Sequence, residues 1–348
     1  MSSPMFDANS QPRLKFKIEL EMLVDPLEEL NNFELSEDDK WERLVVPLRV
    51  SLHNSGLYTS AVVNHGAELD AEKWCIVRDF TIRDENHDYT PYSFKFVSPT
   101  LPYYNLNSSD QYRRDLDIAF QAFSTHGCKP SSSCPTRVHV VPVATTEAAV
   151  PKYTLDQAKD VAKTVLRYSG ALADFARLIG QNCYLPWDLQ IGADISRAWE
   201  RIGAAQSLEE LAAYMSPTEQ NGPDESAIPR RPMWDFSSLT GGSGTIQCSL
   251  GPCSKSGSDA ARWVHFACLF VQGALLQKGD AIAPDEVQDR AATYEQLQIF
   301  LRVQRRFSGS MVPGFVEGFD GTWCDLQNLI ANRQFSNQWF EFSFRYGQ

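Results

Sequence analysis

Residues Leu14 to Val24 read Leu-Lys-Phe-Lys-Ile-Glu-Leu-Glu-Met-Leu-Val, and this long alternation of apolar and charged side chains constrains the fold more than any other segment. Period two is the pattern of a half-buried strand, so the run predicts a β-strand with Lys17, Glu19 and Glu21 on one face. Such a strand needs sheet partners and a layer over its apolar side.

The chain has 348 residues, enough to bury a large core, and reads as one elaborated domain rather than two small ones. Hydrophobic residues at 43% and aromatics at 11% mark a chain that folds. A net charge of −12 argues against a nonspecific nucleic-acid binder, which needs clustered cations against phosphates. The pairs Arg113-Arg114, Arg230-Arg231 and Arg305-Arg306 read as solvated faces. Met1 to Pro12 lacks the charged start and apolar run of a secretory signal. It reads as a short disordered lead, and the expected location is cytoplasmic. Trp263 to Leu276 is the most apolar helix candidate, too short for a bilayer that takes about 20 residues, so no membrane partner is expected. The 8 cysteines have no paired CxxC spacing, which disfavours structural zinc and predicts reduced thiols; Cys128 and Cys134 flank a turn, but a cytosolic setting disfavours a disulfide between them.

Ser36 followed by Glu37, Asp38 and Asp39 signals a helix start, with Trp41, Leu44, Val45, Leu48 and Leu52 as its apolar stripe and Pro47 expected to kink or split it. Strands are expected over Lys73 to Arg83 and Tyr92 to Pro99, the second with Phe94 and Phe96 opposite Lys95 and Val97. A helix from Ser109 to Gly127, a strand from Thr136 to Val143, and a long helix from Thr154 to Gly180 follow. Ser207 to Glu210 repeats the capping pattern, and Ser216 to Pro232 reads as an exposed loop. Trp234 to Ser238 and Gly244 to Leu250 read as strands joined by a Gly-Gly-Ser-Gly turn, before the core helix opened by Ser258 and Asp259. Helices over Glu286 to Arg306 and Cys324 to Ile330 and a strand-like Gln338 to Tyr346 complete the chain. The expected organisation is a lead over 1–12, a domain over 13–280 and an extension over 281–348.

Two carboxylates two residues apart on a strand project to one side and can share a divalent ion; Mg²⁺ favours one or two carboxylates together with phosphate oxygens. Glu19 and Glu21 suit a metal–nucleotide site by that spacing, and they equally suit the polar face of an edge strand.

The order of several segments adds to this reading. Lys-Ile-Glu-Leu-Glu-Met at 17–22, Trp-Cys-Ile-Val-Arg-Asp at 74–79, Phe-Val-Ser-Pro at 96–99 and the tract from Cys134 to Val140 come first. Tyr-Thr-Leu-Asp-Gln at 153–157, Trp-Asp-Phe at 234–236, Gly-Thr-Ile-Gln at 244–247 and Ala-Arg-Trp-Val-His-Phe at 261–266 follow. In order and spacing the series resembles the amidoligase family, described mainly from fungi, over Lys15 to Leu276. The resemblance implies an α+β fold similar to glutamine synthetase and glutamate–cysteine ligase, a curved antiparallel sheet with helices packed on one side. The implied reaction uses ATP and Mg²⁺ to couple a carboxylate to an amine: the carboxylate takes the γ-phosphoryl group, and the amine displaces phosphate from the acyl phosphate.

By this resemblance Glu19 and Glu21 match the family's metal-binding acids, and Trp74 and Asp79 its Trp-to-Asp signature. Where the family has Glu before Val-Ser-Pro, the chain has Lys95. Its His-Val-His triplet is Arg137, Val138, His139, so the second His alone is kept. Its Trp-Asn-Phe is Trp234, Asp235, Phe236, and its Glu-Phe-Arg is Gln247, Cys248, Ser249. Expected catalytic positions are therefore Glu19, Glu21, His139, Lys95 and Arg137, with Asp79, Asp235, Gln247 and Ser249 around the cofactor.

These departures are costly for ligation. Lys in place of a metal-binding acid turns an attraction into a repulsion, each about 4 kcal/mol at roughly 4 Å with an effective dielectric near 20. Losing one preorganised cation costs about 10² to 10³ in rate. Lys95 and Arg137 either substitute for the metal in a pocket for a carboxylate or phosphate, or pair with the remaining acids. Arg262 and Arg345 are candidates to refill the position taken by Ser249, and Cys248 with His139 as base is a minor nucleophile candidate. Three function classes stay open: a weakened amidoligase acting on carboxylate and amine substrates, a pseudoenzyme binding an anionic small molecule or protein partner, and a different enzyme on the same scaffold in specialised metabolism.

Overall fold

The computed structural model describes residues 13–24, 35–62, 72–79, 92–103, 110–130, 135–143, 152–178, 183–184, 195–216, 231–241, 243–277, 296–297 and 299–301. It shows a mixed α+β protein. The first half runs β1 (Leu14–Val24), α1 (Glu37–Asn54), β2 (Thr59–Val62), β3 (Trp74–Arg78), β4 (Ser93–Val97), β5 (Leu101–Tyr103), α2 (Asp110–Thr125), β6 (Cys128–Lys129) and β7 (Thr136–Pro142). The second runs α3 (Leu155–Arg167), α4 (Ser169–Leu178), β8 (Cys183–Tyr184), α5 (Ile195–Ala204), α6 (Leu208–Met215), β9 (Arg231–Pro232), β10 (Trp234–Asp235), β11 (Ile246–Gly251) and α7 (Gly257–Gln277).

Among the described residues, β1 is the hub of a 9-stranded open sheet in the order β10-β11-β7-β1-β4-β3-β2, with β5 and β6 also pairing to β1; β8 and β9 form a separate pair. The sheet is mostly antiparallel, and β2 with β3 is its parallel exception. The alternation read in the sequence is realised on β1. Phe16, Ile18, Leu20 and Met22 are buried to within 2 % in the main core, and Lys17 and Glu19 remain partly exposed on the other face. The register carries the same division sideways, because residues directly opposite in an antiparallel pair share a face. Leu20 stands opposite Phe96 and Ile18 opposite Val138; next in line, Ile76 meets Phe96 and Cys248 meets Val138.

The long helix α7 lies across β1 and β7 on this apolar face and packs against α2. Its aromatic side chains do much of the covering: Phe270 stacks on Trp234 with centroids 4.7 Å apart, and Trp263 and Phe266 pack on Phe175 of α4. Burying rings of this size supplies the largest apolar contribution per residue. The close approach of β11 to β7 needs Gly251, where a Cβ would stand 2.7 Å from the Thr136 carbonyl oxygen.

Several local expectations hold and several change. Ser36 caps α1 through a capping box with Asp39, and Thr154 caps α3 through one with Gln157. Gly127 follows α2 with a φ of 68°, the left-handed conformation that suits glycine after a helix. The helix α1 is not split at Pro47, since it is assigned through Asn54. The expected long helix from Thr154 ends at Tyr168, and α4 begins at the next residue. The strand expected over 234–238 is two residues long and gives way to a 3-10 turn at Ser237–Leu239. Ser256, not Ser258, places its hydroxyl on the Asp259 N–H at the head of α7. The strands β2, β5 and β6 and the helix α5 had no clear period in the sequence; β6 is only two residues long. Of the extension, Gln296, Leu297, Ile299, Phe300 and Leu301 are helical, with Leu297, Phe300 and Leu301 joined to the core. The lead over 1–12, most of the 216–232 loop, the 324–330 helix and the 338–346 strand lie outside the described residues, as does Cys134. No helix among the described residues is long and apolar enough to cross a membrane.

Arg78, at the end of β3, ties the sheet to α1. Its guanidinium lies 2.8 Å from Asp38 and 3.7 Å from Glu37, the first-turn acids, and sits over the Trp41 ring at 5.9 Å.

Candidate functional site

The face of the sheet opposite α7 gathers the charged side chains. In one row Asp235 stands opposite Gln247, Gln247 opposite His139, and His139 opposite Lys17. In the next, Arg137 stands opposite Glu19 and Glu19 opposite Val97; in the third, Glu21 stands opposite Lys95 and Lys95 opposite Val77. Strand alternation alone puts each side chain on this face, and the antiparallel registers of β10, β11, β7, β1, β4 and β3 bring them side by side.

Glu19 is the centre of the charge network. His139 Nε2 lies 3.2 Å from its Oε1, Lys17 Nζ lies 3.6 Å from the same oxygen, and Arg137 Nη1 lies 3.9 Å from Oε2. Burial alone would raise the Glu19 pKa, but the hydrogen bond and charge of His139, with the charges of Lys17 and Arg137, outweigh it and hold the carboxyl far below the usual carboxylate range. Glu19 is therefore an anion at any ordinary pH.

Arg137 reaches past its direct partner. Its Nη2 closes on Glu21 Oε1, so one guanidinium serves both acids, and Glu21 is 2 % exposed. A planar guanidinium has the geometry to bridge two carboxylates at once. Lys95, although directly opposite Glu21, turns to Asp79, with Nζ 2.5 Å from Oδ2 of that fully buried acid. The Asp79 N–H donates to Ser93 O, and the Ser93 hydroxyl donates to Asp79 O, which fixes the acid at the end of β3.

The β11 side of the face is made of hydroxyls and an amide. Gln247 Nε2 donates to Ser249 Oγ at 2.7 Å, and Asp235 Oδ1 accepts from the Ser237 N–H at 2.8 Å. Thr245 Oγ1 lies 3.4 Å from His139 Nδ1 and 3.2 Å from Ser243 Oγ. Ser243 and Thr245 extend the odd-numbered row of Gln247 and Ser249; in the sequence they stand in a Gly-Gly-Ser-Gly turn and a Gly-Thr-Ile-Gln tract, which carry no sign of a site role for either hydroxyl.

Glu19, Glu21, Lys95, Arg137, His139, Asp79, Asp235, Gln247 and Ser249 thus come to one side of one sheet. Trp74 does not join them. It stacks on Phe96 in the core at 4.8 Å and donates from Nε1 to Asp115 at 3.2 Å. Cys248 is also on the apolar side, opposite Trp234 and Val138, which removes it as a nucleophile for His139. Arg262 pairs with Asp259 on α7 at 3.0 Å and does not refill the Ser249 position; Arg345 lies outside the described residues.

A magnesium–nucleotide centre needs carboxylates turned toward the ion. Here both acids of the pair face the Arg137 guanidinium, and among the described residues no group of three or more His, Cys, Asp or Glu side chains is placed to hold a metal ion. The residues as arranged do not fit the metal centre that the resemblance implies for Glu19 and Glu21. The chain matches no family profile and no curated protein sequence.

Proposed function

We propose that this chain is a divergent amidoligase-like protein, with the curved sheet and one-sided helix layer of the glutamine synthetase and glutamate–cysteine ligase fold, that works as a metal-independent binding site for a small anionic molecule. The bridging of Glu19 and Glu21 by Arg137 carries this reading. A guanidinium held between two acids does part of a cation's electrostatic work without a metal, and it removes the pair from service as ligands for Mg²⁺ and ATP phosphates. The apolar core under α7 and the charged row opposite it support the fold assignment.

The exposed ends of the network define the ligand. Of the three cations paired with the acids of this face, Lys17 is the most open, with its side chain 29 % exposed, and Lys95 follows at 20 %, against 13 % for Arg137. A carboxylate approaching this face meets ammonium groups first, and charge-assisted hydrogen bonds to ammonium are stronger than neutral ones. Titration calorimetry of a panel of small mono- and dicarboxylates, with a chelator present, tests the proposal. Binding that survives the chelator and weakens about tenfold or more in Lys17→Gln supports it. Phosphate release from ATP with a panel of amines and amino acids, abolished in Glu21→Gln, would overturn it and return the protein to ATP-dependent amide formation.

A further inference from the structure

The His139 contacts on its two ring nitrogens are unlike. On one side Nε2 faces the ionised Glu19 carboxylate at 3.2 Å, an approach of charge to ring more than an aligned hydrogen bond. On the other, Nδ1 faces the Thr245 hydroxyl at 3.4 Å, and that hydroxyl in turn meets Ser243 Oγ at 3.2 Å. A carboxylate beside one ring nitrogen favours the proton there and leaves the other nitrogen as the base. The order Glu19, His139, Thr245, Ser243 therefore has one direction. The Glu19 carboxylate keeps the ring proton on the Nε2 side by its charge, Nδ1 accepts from Thr245 O–H, and Thr245 Oγ1 accepts from Ser243 O–H.

The two ends of this chain differ in access. Thr245 is 8 % exposed, and the Ser243 residue is open to solvent in the turn before β11. Gly244 beside it has a φ of 58°, and at Gly241 an added Cβ would meet only the Ser238 carbonyl oxygen, at 3.8 Å, so the approach to Ser243 is flanked by residues without side chains. A serine that is exposed, flanked by glycine and connected through a second hydroxyl to a carboxylate-oriented histidine has the parts of an activated nucleophile.

We propose that Ser243 is an acyl-accepting nucleophile, activated through Thr245 by His139 with Glu19 as its orienting group, and that its substrate class is a carboxylic ester. Ser243 Oγ forms a bond to the ester carbonyl carbon as its proton passes to Thr245 Oγ1 and the Thr245 proton passes to His139 Nδ1. The carbon–oxygen bond to the alcohol then breaks. The departing alkoxide takes a proton back through Thr245 from His139, and the acyl group remains on Ser243. Water in the alcohol's place repeats the transfers in reverse, releasing the acid and restoring the serine. No metal, nucleotide or redox partner enters these steps. The proposal is independent of anion binding at Lys17, so Ser243→Ala tests it without disturbing that reading.

The experiment is covalent labelling of the full-length protein with p-nitrophenyl acetate, followed by intact mass and peptide mapping. The expected result is a single acetyl group on Ser243, absent in Ser243→Ala, and formed at least about tenfold more slowly in Thr245→Val and His139→Gln, the effect of losing a positioned base. Thr245→Val keeps the β-branched shape and exchanges the hydroxyl for a methyl group, and unchanged circular dichroism establishes that it folds. Labelling spread over surface lysines with none on Ser243, or a Ser243 rate that Thr245→Val leaves unchanged, overturns the proposal.

Discussion

Arg137 and Glu21 pair on a diagonal of the β7–β1 ladder, because the direct cross-strand partner of Arg137 is Glu19 and its second guanidinium nitrogen reaches two residues further along β1. This diagonal joins two acids that would otherwise repel each other in a buried setting, and the stability of the face depends on it.

Arg137→Ala leaves Glu21 buried beside Glu19 without their shared cation. Breaking a buried pair from one side costs about 3 to 5 kcal/mol, and the loss appears as a lower urea midpoint at unchanged slope. Adding Glu21→Gln to Arg137→Ala removes one of the two neighbouring acid charges and recovers part of that loss, which a double-mutant cycle measures.

Glu19 predicts an acid sensitivity with a defined sign. Its folded-state pKa lies below the ordinary value of 4.5, so its contribution to stability is present in full above that value and is lost as pH falls below it toward the folded pKa. Denaturant unfolding between pH 7 and pH 3 should show a stability decline that Glu19→Gln makes shallower. An equal slope in the variant would place the acid sensitivity elsewhere.

Ser98 holds the sheet at the point where β4 ends. Its buried hydroxyl accepts from the Ile18 N–H at 2.9 Å, and its own N–H donates back to the Ile18 carbonyl at 2.9 Å. Ser98→Ala leaves the Ile18 N–H without that acceptor, and the cost is about 1 to 3 kcal/mol by thermal or denaturant unfolding.

Nucleotide should not stabilise the protein. A ligand present at about 100 times its dissociation constant adds roughly 2.7 kcal/mol to the folded state, enough to raise a melting temperature measurably. With Glu19 and Glu21 engaged by Arg137, millimolar Mg²⁺ with ATP is expected to leave the melting temperature where Mg²⁺ alone leaves it, as read by differential scanning fluorimetry.

Much of this molecule is local and therefore legible. The period of Leu14–Val24 predicts β1 and its two faces, and the Ser36 and Thr154 caps start their helices where the pattern predicts, since each depends on neighbours within a few residues. The strands β2, β5 and β6 were not legible because short strands owe their existence to a partner, as Cys128–Lys129 owes its own to Leu23 and Val24 of β1.

The same division runs through the candidate site. Sequence alone determined that Glu19 and Glu21 project from one side of one strand, because side-chain direction on a strand is set by backbone geometry. Only the tertiary structure decided what they face. Register between distant strands brought Arg137 to both acids, sent Lys95 to Asp79 and laid the Thr245 hydroxyl beside His139, with the Ser243 hydroxyl on Thr245. Cross-strand pairing joins residues far apart in the chain, and the partner that a buried charge takes depends on reach and desolvation in the folded sheet, which no spacing along the sequence encodes.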